Sequence, residues 1–217
     1  MTLLDFARGP AMEIAVMIFA FGMLWRVVGV FLQPGKPDHS EPRKQFPWIG
    51  GVKGLWVHLW PYKPFEKKVA LQYAFGYIFH LGFFVVLLLY GPHMLFFKQI
   101  LGFGWPTLPN GVITFVALIT VAALGFLLVK RLTDKVIRKI SNFDDYATWV
   151  VTMTPLLTGL AVKWNMFPVY ETGLAIHMLS VWLLLIYFPF GKLMHAVWFA
   201  WARYVTGTRF ERKGGLA

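Results

Sequence analysis

The 217-residue chain contains no cysteine. That excludes an all-cysteine iron–sulfur cluster, a disulfide framework and a CxxCH haem attachment. Charge is scarce as well. Charged residues make up 14% of the chain, against roughly 25% in an ordinary soluble domain. Acidic residues are the scarcest, with 10 Asp and Glu against 21 Lys and Arg and a formal net charge of +11. Such a charge raises the question of nucleic acid. Here the Lys and Arg cluster in the connections between apolar runs, the pattern of a membrane protein, which argues for no nucleic acid partner. The chain also lacks a P-loop, a dinucleotide fingerprint, a nucleophile elbow and a metal-hydrolase motif. There is no internal repeat and no low-complexity tract.

What is present is apolar. Hydrophobic residues reach 58% and the mean hydropathy is +0.59. Several runs approach the roughly 20 residues that cross a bilayer. The pattern predicts an all-α membrane protein, a five-transmembrane-helix bundle forming one domain over residues 1–217. The spans fall at about 11–32, 69–92 (with an extension to 99), 111–130, 146–163 and 172–200. Pro10 suits a first helical turn. The segment before the first span carries Asp5 and a single Arg8 and no small-residue cleavage site, so the span is expected to stay in the mature protein. The connection 33–68 is polar, then amphipathic, with Trp48, Trp56, Trp60 and Tyr62 as an interfacial belt. That connection holds seven Lys and Arg: Lys36, Arg43, Lys44, Lys53, Lys63, Lys67 and Lys68. Five more (Lys130, Arg131, Lys135, Arg138, Lys139) follow the third span, and Arg203, Arg209, Arg212 and Lys213 end the chain. The opposite side has only Arg8, Lys98 and Lys163. The positive-inside rule then places the N-terminus outside and the C-terminus in the cytoplasm.

Six histidines are present, and His80, His93, His177 and His195 lie in only two of the spans. His39 and His58 fall in the first connection and read as solvated or interfacial. His177 and His195 are 18 residues apart in the fifth span. On one continuous helix that is five turns, which puts both rings on one face about 27 Å apart along the axis. An ionisable side chain inside a membrane helix is costly and points to function. Imidazole ligates haem iron without carrying charge, and without cysteine any haem is held non-covalently, as b-type haem. Opposite helix directions pair the histidines by depth: His93 with His177 on the outer side, and His80 with His195 on the inner. Bis-histidine iron has no open coordination position and suits electron transfer. His80 and His93 are 13 residues apart, about 3.6 helical turns, which points them well over 100° apart on an ideal helix. Pro92 offers a kink that swings His93 toward the fifth helix.

The chain carries Gly22-x-x-x-Arg26, "FHLG" around His80, the run from Leu127 to Asp145 and above all "FPFGKLMH" ending at His195. Together they resemble the gamma subunit of respiratory nitrate reductase, a five-helix di-haem cytochrome b. Similar cytochromes serve sulfur-metabolism, heterodisulfide reductase and hydrogenase complexes. The likeness extends over most of the chain and is strongest in the fifth span. It implies two haem b groups, one being the minimum, a quinone or menaquinone site near the outer haem, and a cytoplasmic-facing iron–sulfur partner subunit. It implies a bacterial or archaeal cytoplasmic (inner) membrane. His80, His177 and His195 carry over as iron ligands. The gamma subunits place the fourth ligand ten residues after the first, where this chain has Tyr90, and His93 is the nearest replacement. Lys192, Arg26 and Arg131 become candidates for haem propionates, and Lys98 for a quinone carbonyl. Lipid headgroups account for Lys192, Arg131 and Lys98 equally well. Asp144 and Asp145 read as helix caps.

The expected function is therefore an electron-transfer subunit of a quinol-linked oxidoreductase complex, rather than an enzyme by itself, with electrons moving in either direction. The 33–68 connection and the C-terminal segment are the expected docking surface. Two other readings stand beside it. One is a mono-haem anchor using His80 and His195. The other is a small proton-coupled transporter with relay histidines, which predicts more polar lining than these spans contain.

Overall fold

A computed structural model describes every residue except 34, 36–38, 40, 58, 216 and 217. Lys36 and His58 of the first connection thus lie outside the described residues. Regular structure among the described residues is entirely helical. The helices are α1 (Leu3–Arg8), α2 (Pro10–Leu32), α3 (Pro47–Val57), α4 (Glu66–Leu89), α5 (Gly91–Leu101), α6 (Asn110–Thr133), α7 (Lys135–Ile140), α8 (Phe143–Lys163), α9 (Tyr170–Tyr187) and α10 (His195–Arg212).

Four helical stretches are long and apolar enough to cross a bilayer: Leu3–Leu32, Lys63–Leu89, Asn110–Thr133 and Tyr170–Tyr187. They mark a multi-pass membrane protein whose apolar side chains contact lipid. The expected fourth span, α8, has the length but not the composition. Its 21 residues include Asp144, Asp145, Lys163 and the threonines 148, 152, 154 and 158. Three of those hydroxyls bond the carbonyl four residues back, at 2.7–2.8 Å, which satisfies them within the helix.

Two of the expected spans need correction. The second does not run unbroken through Pro92. α4 stops at Leu89, Tyr90 is extended (φ −81°, ψ 130°), and a new helix starts with Gly91 and Pro92 in its first turn. Proline has no N–H to continue the old helix but is well suited to begin another. The carbonyls orphaned at the end of α4 find other donors. Leu89 O accepts from Leu108 N (3.0 Å), Leu88 O from Trp105 Nε1 (2.7 Å), and Val86 O lies 3.0 Å from His93 Nδ1.

The fifth span, 172–200, is likewise not one helix. α9 ends at Tyr187, the amides of Phe190 and Gly191 both turn back to Tyr187 O at 3.0 Å, and a 3-10 turn (Lys192–Met194) precedes α10. Pro189 withholds one i→i−4 bond and the helix does not survive it. His177 belongs to α9 and His195 is the first residue of α10. Five turns on one face is therefore not their relation.

The chain divides into two compact units. The first comprises Met1–Val16 and Leu71–Leu185. Its core is built by α6 and α8 through Leu124, Met153 and Leu156, with Phe79, Phe83, Val121 and Trp149 packed against them. α4 meets α6 where Gly82 lies on Thr120, and Phe75 stacks on Phe126 at 3.9 Å. Trp182 Nε1 donates to the carbonyl of fully buried Ala7 at 2.8 Å. At the start of α8, Asn142 and Asp145 form a capping box, and Asp145 also pairs with Arg131 at 3.0 Å.

The second unit comprises Met17–Ala70 and Ile186–Ala217. Within it Gly22 lies on the ring of Pro189, and Phe31 of α2 packs edge-on against Trp198. α3 and α10 run antiparallel in backbone contact. Gly50 faces Gly207 and Glu211, Gly51 faces Tyr204 and Thr208, and Gly54 faces Arg203 and Gly207. Glycines four apart let two helix backbones approach this closely. The chain before α3 is tied to the end of α10 by Lys44 Nζ to Glu211 Oε1 (2.9 Å) and Arg43 N to Arg212 O (2.9 Å).

Candidate functional site

The break after α4 decides where His93 goes. As the third residue of α5 it turns back beneath its own helix start and offers Nδ1 to Val86 O. His177 approaches from α9. The two rings lie 6.1 Å apart, centre to centre, and within 15° of parallel. The depth pairing of His93 with His177 is thus a spatial neighbourhood, reached through a helix break rather than a kink.

His177 is held on its other side by α8. Its Nδ1 is 3.1 Å from Thr158 Oγ1, and Ser180 Oγ donates to His177 O at 2.6 Å. Gly159 leaves the surface of α8 bare under the ring, since a Cβ there would lie 3.2 Å from His177 Cε1. Tyr90 stands edge-on to His93 at 5.1 Å. Lys163 Nζ sits 5.4 Å from the centre of the Tyr90 ring.

His80 lies in the first unit, exposed, with Nδ1 2.6 Å from Gly76 O and Phe79 edge-on at 4.8 Å. His195 lies in the second unit, exposed, with Nδ1 2.7 Å from Lys192 O. Lys192 and Arg26 are exposed in that same unit. Arg131 is engaged by Asp145 and by Ser141 Oγ (2.8 Å), which explains its presence without a propionate. Lys98 is exposed in the last turn of α5, where its carbonyl accepts the amide of Gly102.

All four membrane histidines share one feature: the bond described for each uses Nδ1. For His80, His93 and His195 the partner is a carbonyl, which can only accept, so Nδ1 carries the proton. The neutral ring then keeps its lone pair on Nε2, the arrangement in which metal-bound histidines are usually held. Two imidazoles on opposite sides of one metal, each bonded at about 2.0–2.1 Å, bring their ring centres roughly 6 Å apart. The 6.1 Å separation of His93 and His177 matches that centre-to-centre distance. Among the described residues no group of three or more His, Cys, Asp or Glu could hold a bare metal ion. Haem iron asks the protein for only two.

Thr158, Ser180 and Gly159 were not candidates from sequence. They become site residues only because α8 and α9 pack together, and Thr158 reaches His177 across 19 positions of chain.

No family model matches the chain. A protein of Nitratidesulfovibrio vulgaris (strain Hildenborough), which bears only the name "Protein", is 26% identical over 217 residues. The similarity spans 98% of this chain and 95% of that protein. No solved structure matches.

Proposed function

We propose that this chain is a b-type cytochrome subunit of a membrane complex, passing electrons between the quinone pool and a cytoplasmic-facing iron–sulfur partner. The observation that carries the reading is the His93–His177 pair, parallel and 6.1 Å apart. His93 and His177 would hold one haem b. Haem so held supplies one-electron transfer with no open position for substrate. The protein's part is to hold two neutral rings. Val86 O takes the Nδ1 proton of His93, Thr158 takes that of His177, and Gly159 makes room for the His177 ring. His80 and His195, whose Nδ1 atoms are each bonded to a backbone carbonyl, are candidate ligands for further haem, each within its own unit.

In this reading α8 is the fifth membrane helix. It is shielded by its neighbours in the first unit, which is why it tolerates more polarity than the other four. The N-terminus is outside and the basic connections face the cytoplasm. The partner docks on α3 and α10, whose basic residues include Lys53, Arg203, Arg209 and Arg212, with Lys213 next after α10.

A dithionite-reduced spectrum and pyridine haemochrome stoichiometry of the purified protein, expressed with ample haem, test the proposal. A b-type spectrum is expected, with a ratio near two for the di-haem form and near one for a mono-haem form. Loss of haem in His93→Ala assigns the surviving site in the mono-haem case to this pair rather than to His80 and His195. Absence of a b-type spectrum overturns the reading and leaves a proton-relay role for the histidines.

A further inference from the structure

Of the four membrane histidines, His177 alone has its Nδ1 bonded to a side chain. We infer that Thr158 is a positioning residue that selects the tautomer of His177 and thereby aims the Nε2 lone pair at the iron. The inference rests on the proposed ligation by His93 and His177 and goes beyond it, by naming the group that sets the electronic character of one ligand.

The argument is a proton count. Thr158 Oγ1 has one hydrogen and four polar neighbours. These are Thr154 O at 2.8 Å, Pro155 O at 3.3 Å, His177 Nδ1 at 3.1 Å and Ser180 Oγ at 3.1 Å. A carbonyl cannot donate, and Thr154 O is the nearest of the four. The hydroxyl proton therefore goes to the helix carbonyl, as it does for Thr152 and Thr154 on the same helix. Oγ1 then offers only lone pairs, and His177 Nδ1 must be the protonated nitrogen. The opposite assignment would set the Oγ1 lone pairs against Thr154 O and put a proton on Nε2, where no metal could bind. Ser180 does not alter this. Its proton goes to His177 O at 2.6 Å, so its oxygen is one more acceptor facing the Thr158 hydrogen and takes nothing from the Nδ1 proton of His177.

The location reinforces the proton count. Gly159 follows directly, so the ring lies against bare helix backbone beside the hydroxyl. Pro155 lies one turn earlier, and its carbonyl is one of the two backbone oxygens facing Oγ1.

The test compares Thr158→Ser with Thr158→Ala in the full-length, haem-loaded protein. Both lose the same methyl, and they differ only in the hydroxyl. Thr154→Val, which removes a back-bonded hydroxyl from the same helix, is the control. Readouts are the low-spin haem EPR signal, the midpoint potential and the rate of haem loss to an apo-haem acceptor. Thr158→Ser is expected to match the wild type. Thr158→Ala is expected to release one haem about 10–100-fold more readily, the usual effect of removing a partner from a metal-bound histidine. Its potential should rise, because the weakened imidazole stabilises ferric iron less, and the EPR signal of that haem should shift. If Thr158→Ala and Thr158→Ser are indistinguishable in all three readouts, the inference is overturned while the haem assignment stands. If the wild type has no haem signal, the underlying reading fails instead.

Discussion

Gly82→Ala offers the sharpest test of the packing that carries His80. Gly82 sits in α4 against α6, and a Cβ there would land on Thr120 Oγ1, with Thr120 Cβ at 3.2 Å and Val116 Cγ1 at 3.5 Å. Thr120 cannot step aside. It has no exposed surface, and its hydroxyl is held at 2.7 Å by Val116 O. Overpacking of this kind costs about 1–3 kcal/mol. Turning the hydroxyl away forfeits a further bond of about 1 kcal/mol. Alanine returns about 1 kcal/mol in helix propensity. The expected net loss is about 1–3 kcal/mol. In a Thr120→Ala background the obstacle is gone, so Gly82→Ala should become mildly stabilising. The two sites should therefore couple by about 2–4 kcal/mol. Unfolding by SDS in mixed micelles, followed by tryptophan fluorescence, measures all four corners of the cycle. Equal stability for Gly82→Ala and wild type, or the same loss in both backgrounds, would refute the close α4–α6 approach.

Three other outcomes are expected. His93→Ala and His177→Ala should each remove the same single haem, and the double variant should remove no more; additive losses in haemochrome stoichiometry would separate the two histidines. Lys44 bonded to Glu211 lowers the glutamate pKa, opposed by burial. A lowered carboxylate pKa stabilises the fold above the unfolded glutamate value of about 4.3 and loses that contribution as pH falls through the folded value. Hydrogen exchange of residues 41–57 and 203–215 should thus accelerate below about pH 4, and Glu211→Gln should remove that pH dependence. Asp145→Asn should destabilise by about 1–2 kcal/mol, because the aspartate side chain is 8% exposed and leaves Arg131, 32% exposed, without its counter-ion; SDS unfolding measures it, and a neutral result would show that solvent already screens the pair.

Local signals were legible where the physics is local. Pro10 opens α2 as expected, and Asp145 takes part in the cap of α8 as expected, because both effects act within one helical turn. The apolar runs announced membrane helices, since burial in lipid depends on composition alone. Two prolines were read less well. Pro92 and Pro189 each lie inside a run apolar enough to read as a single span, yet both runs break. Whether a proline kinks or ends a helix depends on which donors reach the freed carbonyls, and those donors come from elsewhere: Trp105 and Leu108 in one case. Thr158 illustrates the same limit. Its spacing from His177 carries no periodicity, so nothing in the string of letters ties the two together.

By itself the sequence determined that the chain is helical, that it crosses a membrane, and that its four membrane histidines are gathered in two spans. Those properties follow from hydrophobicity and from the cost of exposing backbone polar groups to lipid, and neither needs a partner element. Only the tertiary structure decided that His177 and His195 stand on separate helices, that His93 faces His177, and that a threonine hydroxyl holds the second ring. Each of these depends on where a broken helix resumes and on which neighbour supplies its missing hydrogen bonds, and that is settled by packing.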